Sequence, residues 1–287
     1  MSERYAAELH GVIKEFHDFT LGPLDLKIQS GTIVGLVGEN GAGKTTTLKL
    51  MTGVNRPTAG EVRLFGGDPT DAAARHEVGV VFEEAFFCEA LTPNQIGRSL
   101  AGIYGRDWDA DFYASMLKRF ALPPDKMLRE FSRGMRMKLN LAAAFGHRPK
   151  LLILDEATSG LDPVVRSEML DLFLDFIQDE AHSVLISSHI TSDLEQIADS
   201  IAYLHRGKLL FHENKDSLLQ EYRLIRCSAA DLDKIPAECR IFTRRTRFGC
   251  ETLVKGWEDV RHALPDAVSD PAGIDDIMRF TSGRDAQ

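Results

Sequence analysis

Nowhere in its 287 residues does the sequence hold an apolar run approaching the ~20 residues that a membrane-spanning helix needs. The opening stretch MSERYAAELHG lacks the apolar centre of a secretory signal. The chain is therefore expected to be soluble, with any membrane role reached through a partner. Cysteine is scarce too. Cys88, Cys227, Cys239 and Cys250 stand apart without a C-x-x-C pair, which argues against a disulfide framework or a thiolate metal site and suits a reducing compartment. A basic surplus is also missing: 34 Lys and Arg face 43 Asp and Glu, for a net charge of −9. That balance argues against general nucleic-acid binding, and no nucleic-acid partner is expected. The local run Arg240, Arg244, Arg245 and Arg247 reads as a solvated strand or turn. No internal repeat or low-complexity tract interrupts the chain, and its 44% apolar and 27% charged content is that of a globular protein with one large or two small domains.

Against that background one stretch stands out. Gly38-Glu39-Asn40-Gly41-Ala42-Gly43-Lys44-Thr45-Thr46 fits G-x-x-x-x-G-K-[ST]. Before it, Thr32–Val37 is a short β-branched run suited to a buried parallel strand. After it, Thr45–Met51 can propagate as a helix until Gly53 ends it. Strand, glycine turn and helix in that order make an anion site, because glycines allow close backbone approach and the N–H groups of the turn and helix start point at phosphate. Lys44 adds a positive charge for the outer phosphates, and the Thr45 hydroxyl can ligate Mg²⁺.

The rest of the chain reads as a mostly parallel α/β sheet covered on both faces. A β-rich opening (Glu8–Lys14, Leu24–Ile28) precedes the phosphate loop. Strands are expected at Glu61–Phe65 and His76–Phe82, and residues from Leu91 to about Gly146 have helical periodicity, punctuated by Pro93, Pro123 and Pro124. Ser132 reads as the N-cap of a helix. Strands Leu151–Leu154, Ser183–Ser187, Ile201–His205 and Lys208–Phe211 alternate with helices over Pro163–Ile177 and Asp193–Ala198. From Tyr222 the texture changes to short candidate strands (Arg223–Cys227, Arg240–Thr243, Glu251–Val254) and two short helices near 259–263 and 273–280, an α+β appendage. The expected division is thus 1–221, with a helical subdomain at about 91–146, and 222–287.

Phosphoryl transfer needs a metal and an aligned water. Asp155, at the end of an apolar strand, is placed to hold Mg²⁺. Glu156, one residue on and pointing to the other face of the strand, could orient or deprotonate the water. His189, after the strand ending at Ser187, is a further candidate for the γ-phosphate or that water. Phe16 is either a flat surface for an adenine ring or an edge-strand core aromatic, and Phe82–Thr92, with Phe86, Phe87 and Leu91, is either ordinary core and loop or a docking surface.

These motifs, in this order over about residues 8–212, resemble the nucleotide-binding subunit of an ABC transporter. GENGAGKTT resembles its Walker A, Leu151–Glu156 its Walker B and catalytic glutamate, Ser159-Gly160-Leu161-Asp162 its D-loop, and His189 its switch histidine. Phe131-Ser132-Arg133-Gly134-Met135 stands where the family has L-S-G-G-Q, with Arg133 in place of glycine and Met135 in place of glutamine. Glu83 stands at the Q-loop glutamine, and Phe16 where the family has its adenine-stacking aromatic. The resemblance implies an ABC ATPase core of P-loop type that binds ATP and Mg²⁺. It implies nucleotide contacts from residues 38–46, Phe16, Glu83, Ser132, Gly134, Met135 and Asp162, and metal contacts from Thr45, Asp155 and Glu83. It also implies a second ATP-binding subunit (the same chain or a cousin), with each Walker A facing the other's signature helix, and a separately encoded permease of export type, with this chain at the inner face of the cell membrane. The alternatives are a soluble ABC-type ATPase or a nucleotide-binding regulator uncoupled from transport. A translation ATPase would carry two cassettes, and a chromosome ATPase would interpose long coiled coils between the Walker motifs.

Overall fold

The computed structural model describes residues 5–83, 87–247, 249–265 and 267–282. The chain opens with two antiparallel strands, β1 (Tyr5–Glu15) and β2 (Thr20–Gln29). In β2 the period-two pattern is realised: Leu24, Leu26 and Ile28 are buried while Pro23, Asp25 and Lys27 face out. β3 (Ile33–Val37) is buried along its whole length and feeds the glycine loop and α1 (Lys44–Met51). β4 (Ala59–Leu64) then pairs with the far side of β1, giving a three-stranded sheet in the order β2-β1-β4. The strand expected through Phe65 stops one residue short, since Phe65 takes a left-handed turn conformation at φ +50°.

After α2 (Ala72–His76) comes β5 (Val78–Val81). His76, expected in the strand, closes the helix instead. The helical segment follows as α3 (Pro93–Tyr104), α4 (Ala110–Arg119) and α5 (Arg133–Phe145). α3 starts with a full capping box, Thr92 and Gln95 bonding each other's backbone N–H, with Pro93 in the first turn. β6 (Leu151–Asp155), α6 (Pro163–Phe176), β7 (Ser183–Ser187), α7 (Thr191–Ile197), β8 (Ser200–His205) and β9 (Lys208–Asn214) complete the central layer. Its six strands run in the order β5-β6-β7-β3-β8-β9, parallel except for β9.

The two faces of this sheet are covered differently. Val34, Leu36, Ile153, Leu185 and Ala202 bury against the small antiparallel sheet and against Leu48 and Met51 of α1. Ile33, Val37, Leu152, Leu154 and Ile186 point the other way, into a core shared with Leu141 of α5, Met169 and Phe173 of α6, and Leu194 of α7. Continuous apolar strands are what a sheet buried on both faces requires. The consequence for function is geometric: the C-terminal ends of β3, β6 and β7 emerge side by side along one edge.

α8 (Lys215–Glu221) leads into β10 (Tyr222–Cys227), α9 (Ala229–Leu232), β11 (Arg240–Thr246), β12 (Gly249–Lys255), α10 (Trp257–Ala263), β13 (Val268–Pro271) and α11 (Ile274–Ser282). The strands form an antiparallel sheet in the order β11-β12-β10-β13. α8 and β13 have no counterpart in the sequence reading. The chain passes into β10 at Tyr222, yet this part is not a detached bead. Ile274, Ile277 and Phe280 of α11 are buried in the same core as Leu194, Ile197, Ile201 and Tyr203. Glu195 Oε1 accepts the Ile274 N–H at 2.8 Å, fastening the start of α11 to α7. Ile277→Ala is expected to cost about 2–5 kcal/mol, the usual range for emptying a buried aliphatic site. The loss should appear as a lowered midpoint of one urea transition, and a second transition that spares the rest of the chain would show the appendage to be independent.

Candidate nucleotide site

The glycine loop is fixed by lack of room. A Cβ on Gly38 would stand 2.4 Å from the Leu204 carbonyl oxygen, and Gly43, at φ +109°, would push one to 2.6 Å from Leu21 Cδ1. Only glycine serves at these two positions. Gly43 is also the N-cap of α1 with no side chain capping it, so the first-turn N–H groups are left for an external acceptor. Lys44 is 7% exposed. Its ammonium turns back over the loop, donating to the Gly38 carbonyl at 2.7 Å and lying 3.5 Å from Glu156 Oε1. Glu39, Asn40, Gly41 and Thr45 face solvent, Thr46 is half-buried and Ala42 is buried.

Asp155 ends β6 with its carboxylate held from two sides. Thr45 Oγ1 donates to Oδ2 at 2.8 Å and Ser187 Oγ donates to Oδ1 at 2.5 Å. Ser187 lies in register opposite Asp155 at the end of β7, and its hydroxyl also accepts the Glu156 N–H at 3.1 Å. Ser187 belongs to no motif in the sequence, where its one signal is a hydroxyl closing the apolar run Val184–Ile186.

Glu156 does not continue the strand alternation assumed for it. Its φ of +51° is left-handed, rare for a residue with a side chain. That turn, not the pleat, aims its carboxylate. Oε1 faces Lys44, while Oε2 lies 2.6 Å from His189 Nδ1. A carboxylate only accepts, so the proton of this pair sits on Nδ1. His189 is about half exposed and Glu156 almost fully buried, so the pair joins an enclosed carboxylate to an open imidazole.

Thr45 and Asp155 present two hard oxygens at one point, which fits Mg²⁺. Among the described residues no group of three or more His, Cys, Asp or Glu could hold a metal. An ion here would complete its shell with phosphate oxygens and water, as Mg²⁺ ordinarily does. Glu83, expected beside these two, is drawn elsewhere: its carboxylate pairs with Arg133 at 3.3 Å.

The remaining candidates are dispersed. Ser132 caps α5 by accepting the Met135 N–H at 3.2 Å. Gly134 has only ordinary contacts around the position a Cβ would take, the nearest at 3.8 Å. Asp162 caps α6, accepting from Val164 and Val165 N–H. Phe16 is 46% exposed, which removes it from the core. Its ring lies 6.4 Å from that of Phe19, and Phe19 in turn packs against Gly43, a contact with no local signal in the sequence. Phe86 lies outside the described residues, whereas Phe87 and Leu91 pack partly buried against the helical core.

A family model described as ABC transporter matches residues 21–159. The chain is 34% identical over 228 residues to the bacitracin transport ATP-binding protein BcrA of Enterococcus faecalis, covering 78% of this chain and 74% of that protein. It is 34% identical over 194 residues to the BcrA of Bacillus licheniformis, covering 65% of this chain but only 62% of that protein's length. A solved ATP-binding subunit of an ABC transporter superposes with a TM-score of 0.69 at 26% identity, over 75% of this chain and 92% of the other. Matched at that identity along most of a relative's length, and carrying the glycine loop, strand-end carboxylates and histidine in one place, the chain belongs to the ABC transporter family, among its ATP-binding proteins.

Proposed function

We propose that the protein binds ATP with Mg²⁺, hydrolyses it between two such subunits, and so drives a separately encoded membrane permease, in the direction of export. The observation that carries this reading is the unbroken line of contacts from Lys44 and Thr45 through Asp155 and Glu156 to His189. A triphosphate seated on the loop would meet the N–H groups of residues 38–46 and draw the Lys44 ammonium onto its outer phosphates. That movement frees Glu156 Oε1 to accept a proton from the attacking water, while His189 holds Oε2 in place. Thr45 and Asp155 would hold Mg²⁺, which when bound neutralises charge on the phosphates. Phe16, exposed beside the loop, offers a face for the base.

One chain supplies one loop and one signature helix. The reading therefore pairs residues 38–46 of one subunit with Ser132, Gly134 and Met135 of another copy or a related chain, with Asp162 at the same interface. Among the described residues no helix is long and apolar enough to cross a membrane, and the reading assigns the permease to a separately encoded chain. A cleft of about 250 Å³ lined by Val80, Phe82, Phe87, Leu100, Tyr104 and Asn140 lies between β5 and the helical segment, a suitable seat for its cytoplasmic surface. On this reading the protein works in the cytoplasm at the inner face of the membrane. The bacitracin transport named for its relatives supports the transport reading over the uncoupled ATPase and regulator readings.

Glu156→Gln is expected to slow phosphate release about 10²–10⁴-fold while nucleotide binding persists, the weight of a positioned base. Wild-type turnover in that variant would remove Glu156 from the role. Lys44→Ala should abolish tight ATP binding in a fluorescent-nucleotide titration, and an unchanged affinity would contradict the loop assignment. Phe87→Asp should loosen co-purification with the permease without altering basal ATP hydrolysis, and undiminished recovery of the complex would move the docking site elsewhere.

A further inference from the structure

The two sites where this chain replaces a neutral family residue by a charged one lie far apart in sequence and meet in space. Arg133 opens α5, Glu83 follows β5 by two residues, and the guanidinium Nη2 reaches Glu83 Oε1 at 3.3 Å across a separation of 50 residues. The other side of the guanidinium lies over the backbone of Gly160, close enough that a Cβ there would be 2.7 Å from Nη1. Arg133 thus spans from the loop after β5 to the loop before α6, its side chain 55% and that of Glu83 52% exposed, and Gly160, at φ +66°, leaves it room.

The position of Glu83 makes its charge consequential. β5 pairs in parallel with β6, Val81 opposite Leu154, so the chain beyond β5 emerges beside Asp155 and Glu156. A third carboxylate is thereby brought to an edge that already carries two. A nucleoside triphosphate with charge near −4 seated on the glycine loop would be repelled by an uncompensated carboxylate on this edge, which lowers affinity unless a counter-ion neutralises it. Arg133 supplies the counter-ion. A second ion pair from the same helix, Arg136 to Glu89 at 2.6 Å, holds the following part of the loop in the same way.

We infer that Arg133 is a positioning residue that holds and neutralises Glu83, so that the loop after β5 can lie beside a bound triphosphate without repelling it. Glu83 is then the held partner of Arg133 and not a metal ligand, and the two replacements act as one unit. This rests on the ATP-site reading above.

The test is a double-mutant cycle on the full-length protein. It reads half-saturating Mg-ATP and turnover for Arg133→Ala, Glu83→Gln and the double variant, each at about 0.05 and 0.5 M salt. Arg133→Ala should raise half-saturating ATP roughly tenfold at low salt and much less at high salt, because the exposed carboxylate is screened. The double variant should return to within about threefold of wild type, since removing both charges removes the repulsion. Three results would overturn the inference: an Arg133→Ala variant that binds ATP like wild type, a defect indifferent to salt, or a double variant as weak as Arg133→Ala alone. The last would mean that the guanidinium itself grips phosphate, in its own or the facing chain. Glu83→Arg combined with Arg133→Glu provides a second check, because it restores the pair with inverted polarity and should also recover affinity. Wild-type protein that does not bind ATP would defeat the parent reading, and is distinguishable from all of these.

Discussion

A carboxylate at the end of a buried strand is the constraint around which this molecule is built. Asp155 is only 3% exposed, and a charge so enclosed is tolerated only when its oxygens are satisfied. The satisfaction comes from two different elements, α1 through Thr45 and β7 through Ser187. Three pieces of chain that are remote in sequence are therefore held in register at one point. The parallel pairing of β6 with β7 and of β7 with β3 places the same three ends together, so backbone ladder and side-chain bonds specify the same geometry.

Around that point the chain accepts local strain for position. Glu156 sits in a left-handed conformation, and its amide bonds to Ser187 on the neighbouring strand. The bond helps over-determine a backbone shape that would not persist in isolation. Lys44 is similarly committed, its ammonium donating to the loop's own carbonyls and facing Glu156. In this arrangement a buried cation and a buried carboxylate lie 3.5 Å apart and stabilise each other beside the glycine loop.

Much of this was legible in the sequence, because the signals were local. The glycine loop, the apolar strands, the N-cap Ser132 and the order of α/β elements depend on neighbours a few residues apart. What escaped was long-range or conformational. Ser187 acquires its meaning only from the register that sets it opposite Asp155. The direction of Glu156 was inferred from strand alternation, which ends one residue too early to apply. Glu83 and Arg133 each looked like an isolated departure, and neither segment alone indicates that they touch. β13 pairs with β10 across nearly the whole appendage, a partnership with no local signature in Val268–Pro271.

The way α11 lies against α7 bears on how this polypeptide could be recombined. α7 begins two residues after His189, and its Leu194, Glu195 and Ile197 share burial or hydrogen bonding with α11. A chimera spliced at Tyr222 would therefore separate halves of one apolar interior and leave Glu195 facing a foreign surface. Evolution of the C-terminal part is tied to three residues on the helix that follows the histidine, so that shuffling it among cousins is constrained by a patch lying outside the segment exchanged.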